Sequence, residues 1–218
     1  MLIKPRIVYR PFEYPQCFEF ARRQQMVHWL ETEIPMASDI QDWKYSLTES
    51  EKLVIGKILK GFTQAEVLVG DYWRQVANWF PKPEVAQMAS VFSYFETIHQ
   101  TAYALLNDTL GLDDWEAFIT DEETAAKLDN LINVQVESLD TLDVQYFITD
   151  GHEYYPNDIV TEKLQDIATS LAIFSAFTEG VQIFSSFAVL LSFQKKNLMK
   201  GVGQIVSFSV RDGVRPLA

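Results

Sequence analysis

The sequence predicts an all-α protein, an up-and-down bundle of long helices around one core, and three observations carry that prediction. Apolar residues recur at helical spacing nearly throughout the chain. Strand-like alternation never holds for more than a few residues, and no solenoid-type repeat is present. Chain breakers are far apart, so helical segments of roughly 20 to 35 residues are joined by short turns, as in antiparallel bundles. The composition agrees. With 218 residues, 48% hydrophobic and 13% aromatic, and only nine Gly and eight Pro, the chain is neither disordered nor low in complexity. It is long enough to bury a sizeable core, and residues 1–218 read as a single domain.

The elements follow in order. Residues 16–34 read as a first helix stopped by Pro35. Thr48 followed by Glu51 forms a capping box that opens a long helix toward Phe80. Pro81-Lys82-Pro83 is a short link, because proline cannot continue a helix and restrains the residue before it. A helix over 84–110 ends at Gly111, a C-cap glycine. Another begins near Asp121 and runs towards Phe147, where Asp150-Gly151 breaks it. Asn157-Asp158 starts a helix that continues to about Lys196, and a last one spans 201–212.

Charge and cysteine content exclude several function classes. Lys+Arg is 18 against Asp+Glu 30, a net charge of −12, which disfavours a nucleic-acid backbone as a partner. Between Asp108 and Asp166 sixteen acidic residues face only Lys127 and Lys163, a solvated outer face. Cys17 is the one cysteine and reads as a small hydrophobe, which excludes a disulfide framework and thiolate metal sites. The start of the chain shows no apolar leader core, and a reducing, cytoplasmic setting is expected. From Ile167 to Phe193 the single charged residue is Glu179. A carboxylate inside a bilayer helix is expensive, so this segment is expected to be a helix buried in a soluble bundle rather than a membrane span.

The residues that carry chemistry lie on those helices. Glu96 and His99 are three apart in mid-helix, so both side chains leave one face and can meet one metal ion. E-x-x-H alone is common by chance, but two further carboxylates support it. Glu66 lies on an otherwise apolar helix face, and Glu179 is the lone charge of the apolar helix. Buried carboxylates must be paired, protonated or metal-bound. Three helices offering inward acids, one with a His at +3, make up most of a carboxylate-bridged dinuclear site in a helical bundle. Such oxygen-rich donors with one imidazole suit iron or manganese. Tyr103, four residues past His99, is on the metal-facing side, where a phenol can be oxidised by one electron. Ile183 and Phe187, one and two turns past Glu179, would line a dry pocket around it.

With Ala65-Glu-Val-Leu-Val-Gly70, Phe95-Glu-Thr-Ile-His-Gln-Thr-Ala-Tyr103, Thr178-Glu-Gly180 and Val210-Arg-Asp212 in view, the chain resembles the small, radical-generating subunit of class I ribonucleotide reductase, from about residue 22 to 212. That resemblance implies a ferritin-like helical bundle whose C-terminal helices are missing here. It implies two iron ions, or a Mn/Fe or Mn2 pair, held by Glu66, Glu96 (bridging), His99 and Glu179, and a radical on Tyr103. It also implies an electron relay through Trp29, fourteen residues before Trp43, and Asp212, which would hydrogen-bond the ligand histidine. The implied partners are the large catalytic subunit and a second copy of the chain.

One departure stands out. The family's second E-x-x-H should follow directly after Arg211-Asp212, and here its glutamate and histidine fall on Gly213 and Pro216. Two of six ligands are therefore absent, and residues 213–218 leave the family pattern. Alternatives are another ferritin-like di-iron oxidase, which would have no use for a Trp29–Asp212–His99 relay, or an inactive, metal-poor fragment. His28 is expected to be an ordinary partly buried residue of the first helix, and His152 to lie in a turn. Glu137, Asp140 and Asp143 are weaker ligand candidates.

Overall fold

The computed structural model describes residues 2–129, 147–149, 152–154 and 157–214. Two long antiparallel helices form its spine, α3 (Glu49–Trp79) and α4 (Pro83–Leu110), packed along most of their lengths. Helix α1 (Pro15–Gln25) lies against α4. The short α2 (Ala37–Tyr45) precedes α3, and α5 (Trp115–Thr120) and a helical stretch over 122–129 (α6) follow α4. After a two-stranded hairpin, α7 (Asn157–Ile173), a π-helical segment (Phe174–Ile183) and α8 (Phe184–Lys195) form one continuous helical run, and α9 (Lys200–Val214) folds back on α8. The described residues thus form a helical bundle.

The local signals explain most of these boundaries. Thr48 caps α3: its hydroxyl accepts the Glu51 amide, and the Glu51 carboxylate accepts the Thr48 amide in return. Pro83 occupies the first turn of α4, where its missing N–H costs nothing. Gly111 ends that helix with φ 72°, a left-handed conformation open to glycine without strain. Helix α9 takes its start from another element. The buried Asp39 of α2 accepts the Gly201 amide at 2.9 Å and the Val202 amide at 2.8 Å, satisfying two buried donors that the helix itself leaves unpaired and placing a negative charge at the positive end of the helix. Gly201 leaves room there, since a Cβ would come 2.5 Å from the Met36 sulfur and 3.0 Å from the Pro35 carbonyl oxygen, and those neighbours would have to shift.

The structure corrects five expectations. The first helix ends at Gln25 rather than Ile34, and Val27 and Trp29 turn inward on an irregular segment. Arg211 on α9 donates to the Val27 carbonyl at 2.7 Å and the Trp29 indole bonds Asp212, so tertiary contacts outweigh helical propensity. His28 is accordingly exposed and off the helix, with its Nε2 3.1 Å from the Tyr94 hydroxyl. The helix expected to run towards Phe147 does not reach it. Phe147–Thr149 (β1) pairs antiparallel with His152–Tyr154 (β2), so His152 is in a strand rather than a turn. The strands flank Asp150-Gly151, a strong hairpin signal in sequence. Residues 130–146, with Glu137, Asp140 and Asp143, lie outside the described residues, as does Pro216.

The fifth correction concerns the apolar run. Leu164–Lys195 is long and apolar enough to cross a membrane, yet it is buried on one side only. Ile167, Phe174, Ile183, Phe187, Leu190 and Phe193 face inward, whereas Phe177 (64% exposed) and Val181 (61%) face out. One face of the run packs on the bundle, and nothing among the described residues covers the other.

Candidate metal centre

Two apolar clusters fill the bundle, and the acids sit at their border. On α3, Phe62 belongs to one cluster and Val69 to the other, with Glu66 between them. On the apolar run, Phe174 and Ile183 divide in the same way around Glu179. This arrangement brings Glu66, Glu96 and His99 together, with donor atoms all within 4.8 Å of one another. These three, with Glu179, Ser209 and Asp212, line a cavity of about 170 Å³ whose apolar wall includes Phe95, Ile183 and Phe187. Glu179 lies in the π-helical segment, a rare wide turn often found at functional sites.

The hydrogen bonds divide the cluster. His99 Nδ1 is 3.0 Å from Glu96 Oε2, and its Nε2 is 3.2 Å from Asp212 Oδ2. The same Asp212 oxygen accepts the Trp29 indole N–H at 2.7 Å. A buried chain therefore runs Glu96–His99–Asp212–Trp29. Glu179 is treated differently: its Oε1 is buried and has no hydrogen-bond partner, an arrangement that asks for an explanation in a folded protein.

The titration behaviour follows from this crowding. Burial first, then the charge of Glu96, pushes Glu66 well above the ordinary carboxylate range, with His99 opposing. Burial and Glu96 likewise push Glu179 up to about 8. Burial would pull His99 down, but its hydrogen bonds to Asp212 and Glu96, and the charges of Glu96 and Glu66, hold it well above the usual imidazole value. Without a cation, the site balances itself with protons. A divalent metal would do the same with the acids ionised, and three carboxylates with one imidazole are donors that suit iron or manganese. The residues present fit such a group, and the unpartnered Glu179 oxygen is the sharpest sign of it.

Tyr103 is fully buried beside this cluster, its ring 4.9 Å from Phe62, whose ring in turn lies tilted 5.1 Å from Phe187. Its hydroxyl donates to Ser209 Oγ at 2.8 Å. Burial, then the charge of Glu66, drives its pKa well above that of a free phenol, so it stays protonated. Ile183 and Phe187 line the same cavity as the carboxylates, and Phe187 reaches the phenol through Phe62.

Comparison with known proteins now bears on this geometry. A family model for the ribonucleotide reductase small chain matches residues 6–214. The chain belongs to that family. It is 36% identical over 214 residues to the probable ribonucleoside-diphosphate reductase small subunit of Invertebrate iridescent virus 6, covering 97% of this chain and 56% of the relative. It is 30% identical over 213 residues to the reductase subunit beta of Chlamydia pneumoniae, covering 93% and 56%. The chain thus spans about half the length of the curated relatives it matches. In fold it is similar to the ribonucleotide reductase R2 subunit from Clostridium botulinum, with a TM-score of 0.75 at 17% identity over 93% of this chain and 58% of that one. It is also similar to an R2-like ligand-binding oxidase carrying a Mn/Fe cofactor, with a TM-score of 0.67 at 17% identity over 94% and 67%. These likenesses establish the ferritin-like bundle.

Gly213, where the resemblance expects a further acid, lies in α9 on the cavity wall and offers no side-chain donor. Two residues beside the site escaped the sequence reading. Phe62 stands one turn before Glu66, and Ser209 three residues before Asp212. Helical spacing marks both as facing the site, but neither residue type by itself signals chemistry.

Proposed function

We propose that this chain acts as the radical-generating small subunit of ribonucleoside-diphosphate reductase. In this reading Glu66, Glu96, His99 and Glu179 hold a dimetal centre of two iron ions, Mn/Fe or Mn2. When bound, the pair supplies O2 activation and the one-electron oxidation of Tyr103, whose radical serves the large subunit's reduction of ribonucleotides to deoxyribonucleotides. The single observation that carries the reading is the hydrogen-bonded chain from His99 through Asp212 to Trp29, at 3.2 and 2.7 Å. A generic di-iron oxidase has no need of it.

Each side chain has a separate task. Asp212 holds the His99 ring through Nε2, which leaves Nδ1 directed at the carboxylates. Trp29 and Asp212 form the electron relay. The apolar wall of Ile183, Phe187 and Phe62 keeps water from Tyr103. The partners in this reading are the large subunit and a second copy of the chain, in the cytoplasm, with no nucleic acid and no membrane. Iron or manganese loading followed by oxygen should give a tyrosyl radical signal in electron paramagnetic resonance, absent in Tyr103→Phe. A loaded protein without that signal overturns the reading.

Gly213 favours a second reading, a metal-poor helical module, because it removes a side-chain donor from the cavity wall. Metal analysis separates the two: about two metals per chain support the first reading and none supports the second.

A further inference from the structure

Helices α4 and α9 meet at the site in two parallel rungs. His99 and Tyr103, four apart on α4, face Asp212 and Ser209, three apart on α9, at 3.2 and 2.8 Å. The His99–Asp212 rung belongs to the metal ligands and the relay. The Tyr103–Ser209 rung has no part in either. Ser209 is 4% exposed and lines the metal cavity, while Tyr103 is fully buried behind it. Among the described residues the phenol oxygen has no other hydrogen-bond partner, and its ring neighbour Phe62 is apolar. The Ser209 hydroxyl in turn donates to the Ile205 carbonyl at 3.2 Å, a long bond to an acceptor that the helix ladder already uses. Its hydrogen is therefore loosely held and can rotate about the Cβ–Oγ bond.

We propose that Ser209 is the positioning residue of the Tyr103 radical: its Oγ accepts the phenol's hydrogen bond before oxidation, and its hydroxyl turns to donate to the phenoxyl oxygen afterwards. The proposal rests on the radical function above. Oxidation removes one electron and one proton from Tyr103. A metal pair held by Glu66, Glu96, His99 and Glu179 would supply, with oxygen, the oxidant that takes up that electron, and the oxygen so reduced would take up the proton. Serine keeps its own proton, since a hydroxyl cannot hold a second one at neutral pH, and only the direction of the 2.8 Å hydrogen bond reverses. The separation suits either direction, because O–H···O bonds of this length form with either oxygen as donor.

The test has two arms, each run on wild type, Ser209→Ala and Ser209→Thr, with Tyr103→Phe to isolate one tyrosine among nine. In the metal-free protein with ring-labelled tyrosine, infrared difference spectra should show the Tyr103 C–O stretch shifted in Ser209→Ala and restored in Ser209→Thr. In iron- or manganese-loaded protein in heavy water, electron–nuclear double resonance should detect an exchangeable deuteron coupled to the wild-type radical, with the largest g value lowered by that bond. Both features should vanish in Ser209→Ala and return in Ser209→Thr. Identical infrared and resonance spectra in wild type and Ser209→Ala overturn the proposal. A radical without the coupled deuteron overturns the reversal alone and leaves the radical function standing. A wild-type protein with the infrared shift but no radical overturns the radical function and, with it, the role of Ser209 toward a radical.

Discussion

The two sides of the carboxylate cluster are built differently. On the α4–α9 side every polar group named has a partner: His99 bonds Glu96 and Asp212, Asp212 bonds Trp29, and Tyr103 bonds Ser209. On the side of the apolar run, Glu179 holds a buried oxygen with no partner, inside a π-helical turn whose outer face exposes Phe177 and Val181. The first side is complete as protein. The second presents a buried carboxylate oxygen that no protein group pairs, and the cost of burying it falls on the folded state. Removing a group from the completed side should therefore destabilise the protein, whereas removing the charge of Glu179 should not.

The largest effect expected is that of Asp212→Ala. It strips Trp29 and His99 of a shared acceptor and leaves buried donors unpaired, at a cost of about 3–5 kcal/mol in urea unfolding. A cost below about 1 kcal/mol would mean that the relay chain is not a structural unit. Glu96→Gln removes the charge beside His99 and should cost about 1.5–3 kcal/mol by the same measurement. Glu179→Gln inverts the pattern: the metal-free variant should match wild type below the ordinary carboxylate pKa and exceed it increasingly as pH rises toward about 8, while metal per chain falls in atomic absorption.

The pH dependence of the metal-free protein sharpens the contrast. Glu66, Glu179 and His99 all have folded-state pKa values above their ordinary ones, Glu179 near 8. Each binds its proton more tightly when folded, so its contribution is complete below the ordinary value and is lost as pH rises through the folded one. For the acids that window opens near the ordinary carboxylate pKa and, for Glu179, closes above about 8. The melting temperature should fall steadily from pH 5 to pH 9, and saturating Fe(II) or Mn(II) should flatten the slope. A flat metal-free profile would remove the proton-balance account. Smaller still, Tyr103→Phe should cost about 0.5–1.5 kcal/mol, one hydrogen bond. Phe177→Ser, on the open face, should change unfolding by no more than about 0.5 kcal/mol while lowering self-association in sedimentation.

Much of this was legible in sequence because it depends on spacing within one helix. Glu96, His99 and Tyr103 share a face whatever the rest of the molecule does, and Thr48 with Glu51 caps α3 through four consecutive residues. The inward acids were legible for a related reason: a lone carboxylate in an apolar stretch has few outcomes other than pairing, protonation or metal binding. Where long-range contacts compete with local preference, the reading failed. Residues 26–34 have helical periodicity, but burial of Trp29 against Asp212, 183 positions away, draws them out of the helix.

The helical class, the placement of Glu66, Glu96, His99 and Glu179 on inward faces, and the pairing of Glu96 with His99 were determined by the sequence alone, since residue order and a 3.6-residue repeat suffice. Only the tertiary structure decided that α9 reaches α4 with Ser209 opposite Tyr103, that Trp29 leaves its helix, and that no described residue covers one face of the apolar run. Those outcomes depend on which elements pack together, and an apolar pattern says that a face will be buried without saying against what.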